Sequence, residues 1–348
     1  MRNILDFNVE ELRVWMKDAG QPAFRANQVF DLIYREVYNI DEMDTLPLGL
    51  RDKLKESFTV DIPEVLESFF SKESDTIKNL IRYSDGNIIE DVIMKYSYGY
   101  SICVSTQFGC RMGCKFCAST KNGMVRNLTS GEILSQILVS QKIINAKITH
   151  VVLMGSGEPL DNFDNVVSFI KTISANYGLN IGQRHITLST CGIVPNIYKL
   201  ADFNLQITLA ISLHATDDLT RASIMPIASK YNIDDLIMAC KYYLGRTKRR
   251  ITFEYGLIRD VNDKRENAEN LANLLEGLNC HINLIPINQI SENLYDKSKK
   301  ESISNFSLML TKRGFEVTIR RELGTDINAA CGQLRNSYLK AHKDGSWV

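Results

Sequence analysis

Three of the eight cysteines fall within eight residues, in Cys110-Arg-Met-Gly-Cys114-Lys-Phe-Cys117. A C-x3-C-x2-C loop offers three thiolates from one short stretch of chain, enough for three corners of a [4Fe–4S] cube. The next cysteine is Cys191, so one iron would keep a position open to a small molecule. Such a centre is a catalyst rather than an electron carrier. Zinc is the competing reading. A structural zinc wants four ligands, and the nearest histidine downstream, His150, is thirty-three residues beyond Cys117.

Other chemistry-bearing residues follow short apolar runs. Met154-Gly155-Ser156-Gly157-Glu158-Pro159 closes one such run; its glycines allow backbone to approach a ligand, and the same pattern makes an ordinary strand-to-helix turn. Ser189 ends HITLS, Ser212-Leu213-His214 ends ITLAISLH, and Asn288 follows LIPI. Each alone reads equally as a turn or capping residue. Near the end, Gly324-Thr-Asp-Ile-Asn328-Ala-Ala-Cys331-Gly-Gln-Leu334 surrounds a thiol with small residues. That gives a reactive cysteine room to swing, although a buried small-residue packing would look the same. Cys191, Cys240 and Cys280 read as small core residues.

Repeated strand–helix units must position these groups. Helical periodicity over 130–144, 166–175, 233–244, 266–275 and 303–312, with a shorter helical segment after Pro195, alternates with apolar strands over 149–154, 185–188, 206–213, 251–257, 281–285 and 315–319. Units of this kind make parallel sheets with right-handed crossovers. The chemistry sits repeatedly just after strands, the layout of an α/β barrel whose site lies at the carboxyl ends. Ahead of this region, residues 8–60 read as short helices, with a capping box from Asn8 and Glu11. Lys78–Tyr83 and Ile88–Met94 read as a hairpin around a tight primed turn at Asp85-Gly86.

The cysteine loop with Phe116 before its last cysteine, the Gly-Glu-Pro segment, ICVS around Cys103 and the Cys331 tail together resemble the RlmN/Cfr family of radical S-adenosylmethionine (SAM) RNA methyltransferases, over nearly the whole chain. The resemblance implies an α/β fold: a partial (β/α)6 radical-SAM barrel with a small N-terminal helical domain and a β-hairpin extension. The expected parts are an RNA-recognition accessory domain over 1–80, the hairpin over 81–100, the radical SAM core over 101–322 and a cysteine-bearing segment over 323–348. Cys110, Cys114 and Cys117 would hold the [4Fe–4S] cluster, and Gly157, Glu158, Ser189, Ser212, Leu213, His214 and Asn288 would bind SAM. Carbon 2 of adenine offers no nucleophile for polar methyl transfer, and the family divides the task. Cys331 would take a methyl from one SAM. A radical made from a second SAM would remove hydrogen from that methyl and join it to the base. Glu90 would accept the carbon 2 proton, a role Cys103 could share, and Cys103 would release the product by forming a transient disulfide with Cys331. Gly157-Glu-Pro-Leu160 and Lys121-Asn-Gly123 look like the carbon 2 branch; the carbon 8 branch, which confers antibiotic resistance, usually has alanine where Pro159 stands. Asn328 departs from the family's usual acidic residue.

The implied substrates are an adenosine in the peptidyl-transferase region of 23S rRNA and the adenosine 3′ of the anticodon in some tRNAs. The implied electron source is a reducing partner such as flavodoxin or ferredoxin. A carbon 8 methyltransferase and a non-enzymatic Fe–S RNA-binding module are the alternatives. Composition agrees with a globular enzyme: 348 residues, 44% apolar and 24% charged, with zero net formal charge. The charge is uneven, −6 over residues 1–80 and +6 over the rest. A uniformly basic nucleic-acid protein is thus excluded, but local patches at Arg246–Arg250, Lys312-Arg313 and Arg320-Arg321 are not. Apolar runs are too short for a membrane span, and the acidic start lacks a secretory signal. A cytoplasmic monomer is expected.

Overall fold

The computed structural model describes residues 1–287, 295–321 and 324–327. Asn288, Asn328 and Cys331 lie outside the described residues. The chain opens with three ten-residue helices, α1 (Val9–Asp18), α2 (Arg25–Tyr34) and α3 (Leu48–Ser57). The capping box forms: Asn8 Oδ1 accepts the Glu11 N–H at 3.0 Å, and the Glu11 carboxylate accepts the Asn8 N–H at 2.8 Å. This satisfies two of the donors that a helix start leaves open.

Ten strands make one sheet. They are β1 (Glu64–Phe70), β2 (Thr76–Arg82), β3 (Ile88–Tyr96), β4 (Gly99–Cys103), β5 (Ile148–Leu153), β6 (Ile186–Thr190), β7 (Thr208–Ser212), β8 (Ile251–Leu257), β9 (Cys280–Pro286) and β10 (Glu316–Ile319). Their order follows the chain. β1 to β4 form an antiparallel meander, and β4 to β10 run parallel. The crossovers carry α4 (Ser130–Ile144), α5 (Phe163–Ser174), α6 (Val194–Asp202), α7 (Asp218–Ile224) with α8 (Ile233–Thr247), α9 (Arg265–Leu274) and α10 (Lys300–Lys312). β4 to β9 are the six strands of the expected partial barrel, and β10 adds a further parallel strand. Beyond β10 the chain returns to the opposite edge. Asp326 accepts hydrogen bonds from Ser71 Oγ and the Lys72 N–H, both at 2.7 Å, and the Gly324 N–H donates to Ser74 Oγ at 3.1 Å.

Two local expectations change. The stretch 1–80 is not helical to its end, because helices stop at Ser57 and β1 and β2 follow. The register of β1 against β2 shifts between Val65 and Glu67; this bulge breaks the period-two pattern by which a strand is read. The connection after β2 is also longer than a two-residue primed turn. Tyr83 and Asn87 bracket it, and Gly86 is the residue with positive φ there, at 81°.

The N-terminal module docks on α4, which is buried from Ser130 to Ser140. The Gly131 N–H donates to Asp6 Oδ1 at 2.9 Å, and a Cβ on Gly131 would lie 2.7 Å from the Leu5 carbonyl carbon. Gly131→Ala must therefore push backbone apart. We expect a loss of about 1–3 kcal/mol, read as a fall of several degrees in melting temperature and earlier proteolysis of the first sixty residues.

On the face of β3 towards α4, Asp91 is buried and accepts from Asn79 Nδ2 at 2.8 Å and Ser140 Oγ at 3.0 Å. Burial pushes its carboxyl up to about 7 despite these bonds. The folded chain thus holds a proton that the unfolded chain has lost between roughly pH 4 and pH 7. The favourable contribution is complete below that window and lost as pH rises through it. Denaturant unfolding of the wild type should lose a few kcal/mol across the window relative to Asp91→Asn; parallel pH profiles would contradict this.

Candidate active site

The site is built where the parallel strands end. β4 leads through Val104–Gln107 into the cysteine loop. The Gly-Ser-Gly-Glu segment after β5 lies against that stretch: Gly155 N–H donates to Val104 O at 3.1 Å, and Thr106 and Gln107 N–H donate to Ser156 O at 2.8 and 3.1 Å. A Cβ on Gly155 would stand 2.6 Å from Val104 O, and one on Gly157, whose φ is +107°, 2.7 Å from Gln107 N. Both glycines are thus required by the neighbouring backbone. Glu158, expected among the SAM-binding residues, is buried. Its carboxylate accepts the Leu160 N–H at 3.0 Å and the Cys191 N–H at 2.8 Å. Burial pushes its carboxyl above the usual range, against the pull of these donors.

The cysteine loop is pinned at several points. Cys110 N–H donates to Gly123 O at 3.0 Å and Lys115 N–H to Ile224 O at 2.9 Å, while Thr120 Oγ1 donates to the carbonyls of Cys114 and Cys117 at 3.2 and 3.0 Å. Arg111 on the loop's outer side pairs with Asp161. Cys110 and Cys114 are buried and Cys117 half-buried. Burial, reinforced by the mutual influence of the three sulfurs, pushes the Cys110 thiol up to about 12 and the Cys114 thiol higher still. Binding iron would therefore release protons.

Among the described residues no three His, Cys, Asp or Glu side chains close around one point as a single metal ion demands. Three thiols on one short loop match three corners of a cube, which spreads its thiolates over separate irons. Three buried hydroxyls beside this stretch, those of Thr106, Ser119 and Ser156, have no hydrogen-bond partner among the described residues. Such groups cost about 1–3 kcal/mol each if left unpaired, and they fit a site that takes a polar ligand.

Ser189 and Ser212 are half-buried at the carboxyl ends of β6 and β7, and Leu213 and His214 are buried just beyond. His214 adopts a left-handed conformation, φ 58°. Its Nδ1 accepts the Gly256 N–H at 2.8 Å, which assigns the ring proton to Nε2. Burial, and then the Arg221 cation, lower its pKa to about 3. The ring is therefore a neutral Nε2–H donor near pH 7. Phe116 meets it edge-on at 4.9 Å, joining the cysteine loop to the end of β7.

Glu90 and Cys103, thirteen residues apart, are brought to one face. Val92 pairs with Cys103 and with Lys78, and alternation places Glu90 on the same side. This face is opposite to the one Asp91 turns to α4. Glu90 is buried there and its carboxylate pairs with Lys78 Nζ at 2.9 Å, with Lys78 itself fully buried. Lys78 was missed from sequence because its pairing depends on strand register. Arg221 was also missed. It is fully buried and donates to the carbonyls of Leu213, Cys191 and Ser212 at 3.1, 2.7 and 3.2 Å. A charged residue between the apolar Leu219 and Ile224 was the available signal. Cys191, expected as a core residue, lies beside Cys114. Of the basic clusters, Arg246–Arg250 stands at the amino end of β8, away from the cysteine loop, where Arg250 pairs with Glu316 and Arg246 with Asp202. Arg320-Arg321 follows the carboxyl end of β10, on the side of the site.

Three thiols after the first parallel strand, a glycine-bounded carboxylate after the second and polar groups after the next two define a radical SAM enzyme. A model of the Radical SAM superfamily matches residues 104–272. A model of the ribosomal RNA large subunit methyltransferase N-terminal domain matches residues 2–60. Proteins named "probable dual-specificity RNA methyltransferase RlmN" are 58% identical over 99% of this chain and of their own in Clostridium botulinum (strain Alaska E43 / Type E3), and 59% identical over 98% of this chain and 99% of theirs in Clostridium perfringens (strain SM101 / Type A). The crystal structure of a radical SAM methyltransferase from Sphaerobacter thermophilus superposes with a TM-score of 0.90 at 40% identity, covering 96% of this chain and 99% of that one. The chain belongs to the RlmN family of radical SAM RNA methyltransferases. It is an enzyme whose cofactors are a [4Fe–4S] cluster and SAM. Among the described residues no helix is long and apolar enough to cross a membrane.

Proposed function

We propose that this enzyme methylates carbon 2 of an adenosine in the peptidyl-transferase region of 23S rRNA and of the adenosine 3′ of the anticodon in some tRNAs, using two SAM and an S-methyl intermediate on Cys331. The observation that carries this reading is the sharing of one buried strand face by Glu90 and Cys103, beside the strand end that opens into the cysteine loop. Cys110, Cys114 and Cys117 would hold the cluster, which supplies the electron for reductive cleavage of SAM. Gly157, Glu158, Ser189, Ser212, Leu213, His214 and Asn288 would seat the SAM, with the His214 Nε2–H as donor. Cys331 as thiolate takes the methyl from the first SAM. After carbon has joined the base, Glu90, held by Lys78, accepts the carbon 2 proton. The Cys103 sulfur then attacks that of Cys331. The electron pair of the broken carbon–sulfur bond stays with carbon, which takes a proton to become the product methyl; a disulfide remains, and the one unpaired electron that radical addition left on the base passes to the flavodoxin- or ferredoxin-type carrier.

The reading includes a cytoplasmic monomer served by a flavodoxin- or ferredoxin-type donor. It is tested by anaerobic reconstitution with iron and sulfide, then incubation with SAM, dithionite and 23S rRNA or tRNA. Mass spectrometry of digested RNA should give 2-methyladenosine. Finding 8-methyladenosine would establish the other branch, and RNA binding without methylation would overturn both.

A further inference from the structure

Arg221 is bound entirely to neutral acceptors. Its three hydrogen bonds go to carbonyls at the ends of β6 and β7, its Nη1 is buried without a hydrogen-bond partner, and no carboxylate pairs with it among the described residues. Burying a guanidinium without a counter-charge costs several kcal/mol, and three carbonyl dipoles offset only part of that. The groups whose charge it meets first are the thiols of Cys191 and Cys114, ahead of Asp218 and Cys240. Its helix is fastened to the cysteine loop as well: Ile224 O accepts the Lys115 N–H, and Ile224 and Met225 pack with Cys114 and Cys191. The positive charge is therefore carried on the helix that is fastened to the loop and is bonded to the Cys191 carbonyl, whose residue packs with Cys114.

With three thiolates on a cube that region becomes net negative, and gains one more negative charge when the cube is reduced. We propose that Arg221 is the counter-charge of the iron–sulfur centre, favouring its reduced form and so setting the potential at which an electron enters. One electron arrives from an external low-potential one-electron donor. No bond is made or broken at Arg221, which stays protonated throughout. The inference rests on Cys110, Cys114 and Cys117 holding the cluster. It makes Arg221 a positioning residue, one that acts through the cluster.

The test is a potentiometric titration of reconstituted protein, followed by electron paramagnetic resonance without SAM or RNA. Arg221→Gln keeps amide donors for the carbonyls but loses the charge. At a fixed potential its reduced-to-oxidised ratio should be at least about tenfold lower than wild type, about 59 mV for one electron. Arg221→Lys should stay within about threefold. Cys240→Asp offers the guanidinium a carboxylate from α8 while leaving its strand-end bonds in place. It should shift the potential in the same direction as Arg221→Gln, and it carries the test if Arg221→Gln fails to load iron. Wild-type potentials in Cys240→Asp and in any loaded Arg221→Gln would overturn the proposal and leave Arg221 a strand-end clamp. A wild-type protein that takes up zinc but no cluster would overturn the cluster assignment itself, and the proposal with it.

Discussion

Cys114→Ala is expected to leave anaerobic reconstitution almost colourless, with far less iron and sulfide than wild type and RNA methylation reduced by at least about a thousandfold, the scale seen when a group the chemistry is built on is removed. The fold should survive. Cys114 lies in the small cluster with Cys191, Ile224, Met225, Ile258 and Ile287 rather than in the main core, and its burial makes the neutral thiol, not the thiolate, the resting form without metal. Metal analysis and far-ultraviolet circular dichroism on one preparation separate the two effects. A variant that keeps wild-type iron would mean that the cube is held elsewhere.

Cys331→Ala should abolish methylated adenosine and leave no methyl on the protein, while the variant still loads iron and still cleaves SAM to 5′-deoxyadenosine when reduced. Cys103→Ala should differ in kind. The methyl still reaches Cys331 and carbon still joins the base, but no sulfur is available to break the link. RNA should then accumulate covalently on the protein as a slow-migrating band in denaturing gels that ribonuclease removes, with product reduced by about two to three orders of magnitude. Full turnover by Cys331→Ala would refute the relay. Turnover by Cys103→Ala without crosslinking would assign the resolving role to another thiol.

The sequence carried much of this arrangement because its groups are local. Three cysteines on one loop, a glutamate between glycine and proline, and serines at the ends of apolar runs are each legible in a few residues. The alternation from α4 onward was equally plain, since buried parallel strands are continuous apolar runs and their helices are periodic. What stayed hidden depends on register and on distance along the chain. Glu90 and Cys103 share a face because β3 pairs with β4 in one particular alignment, and Lys78 reaches Glu90 by the alignment of β2. Arg221 acquires its role by folding back onto carbonyls eight to thirty residues away. β1 was hidden by its bulge, and the ordinary-turn alternative for Gly155 and Gly157 could not be weighed until the backbone they press against was known.

The bonds from Ser71, Lys72 and Ser74 to Asp326 and Gly324 bear on how far this protein could be divided. The stretch matching the superfamily model, 104–272, contains the three-cysteine loop proposed to hold iron, yet the loop bonded to Asp326, five residues before the proposed methyl carrier Cys331, and the strand that bears Glu90, the proposed proton acceptor, both precede it. A fragment cut to that stretch would keep the means to make a radical and lose the means to aim it. Under the proposed function, methyl delivery draws on both ends of the chain and radical generation on its middle, with the two ends joined by the polar bonds around Asp326.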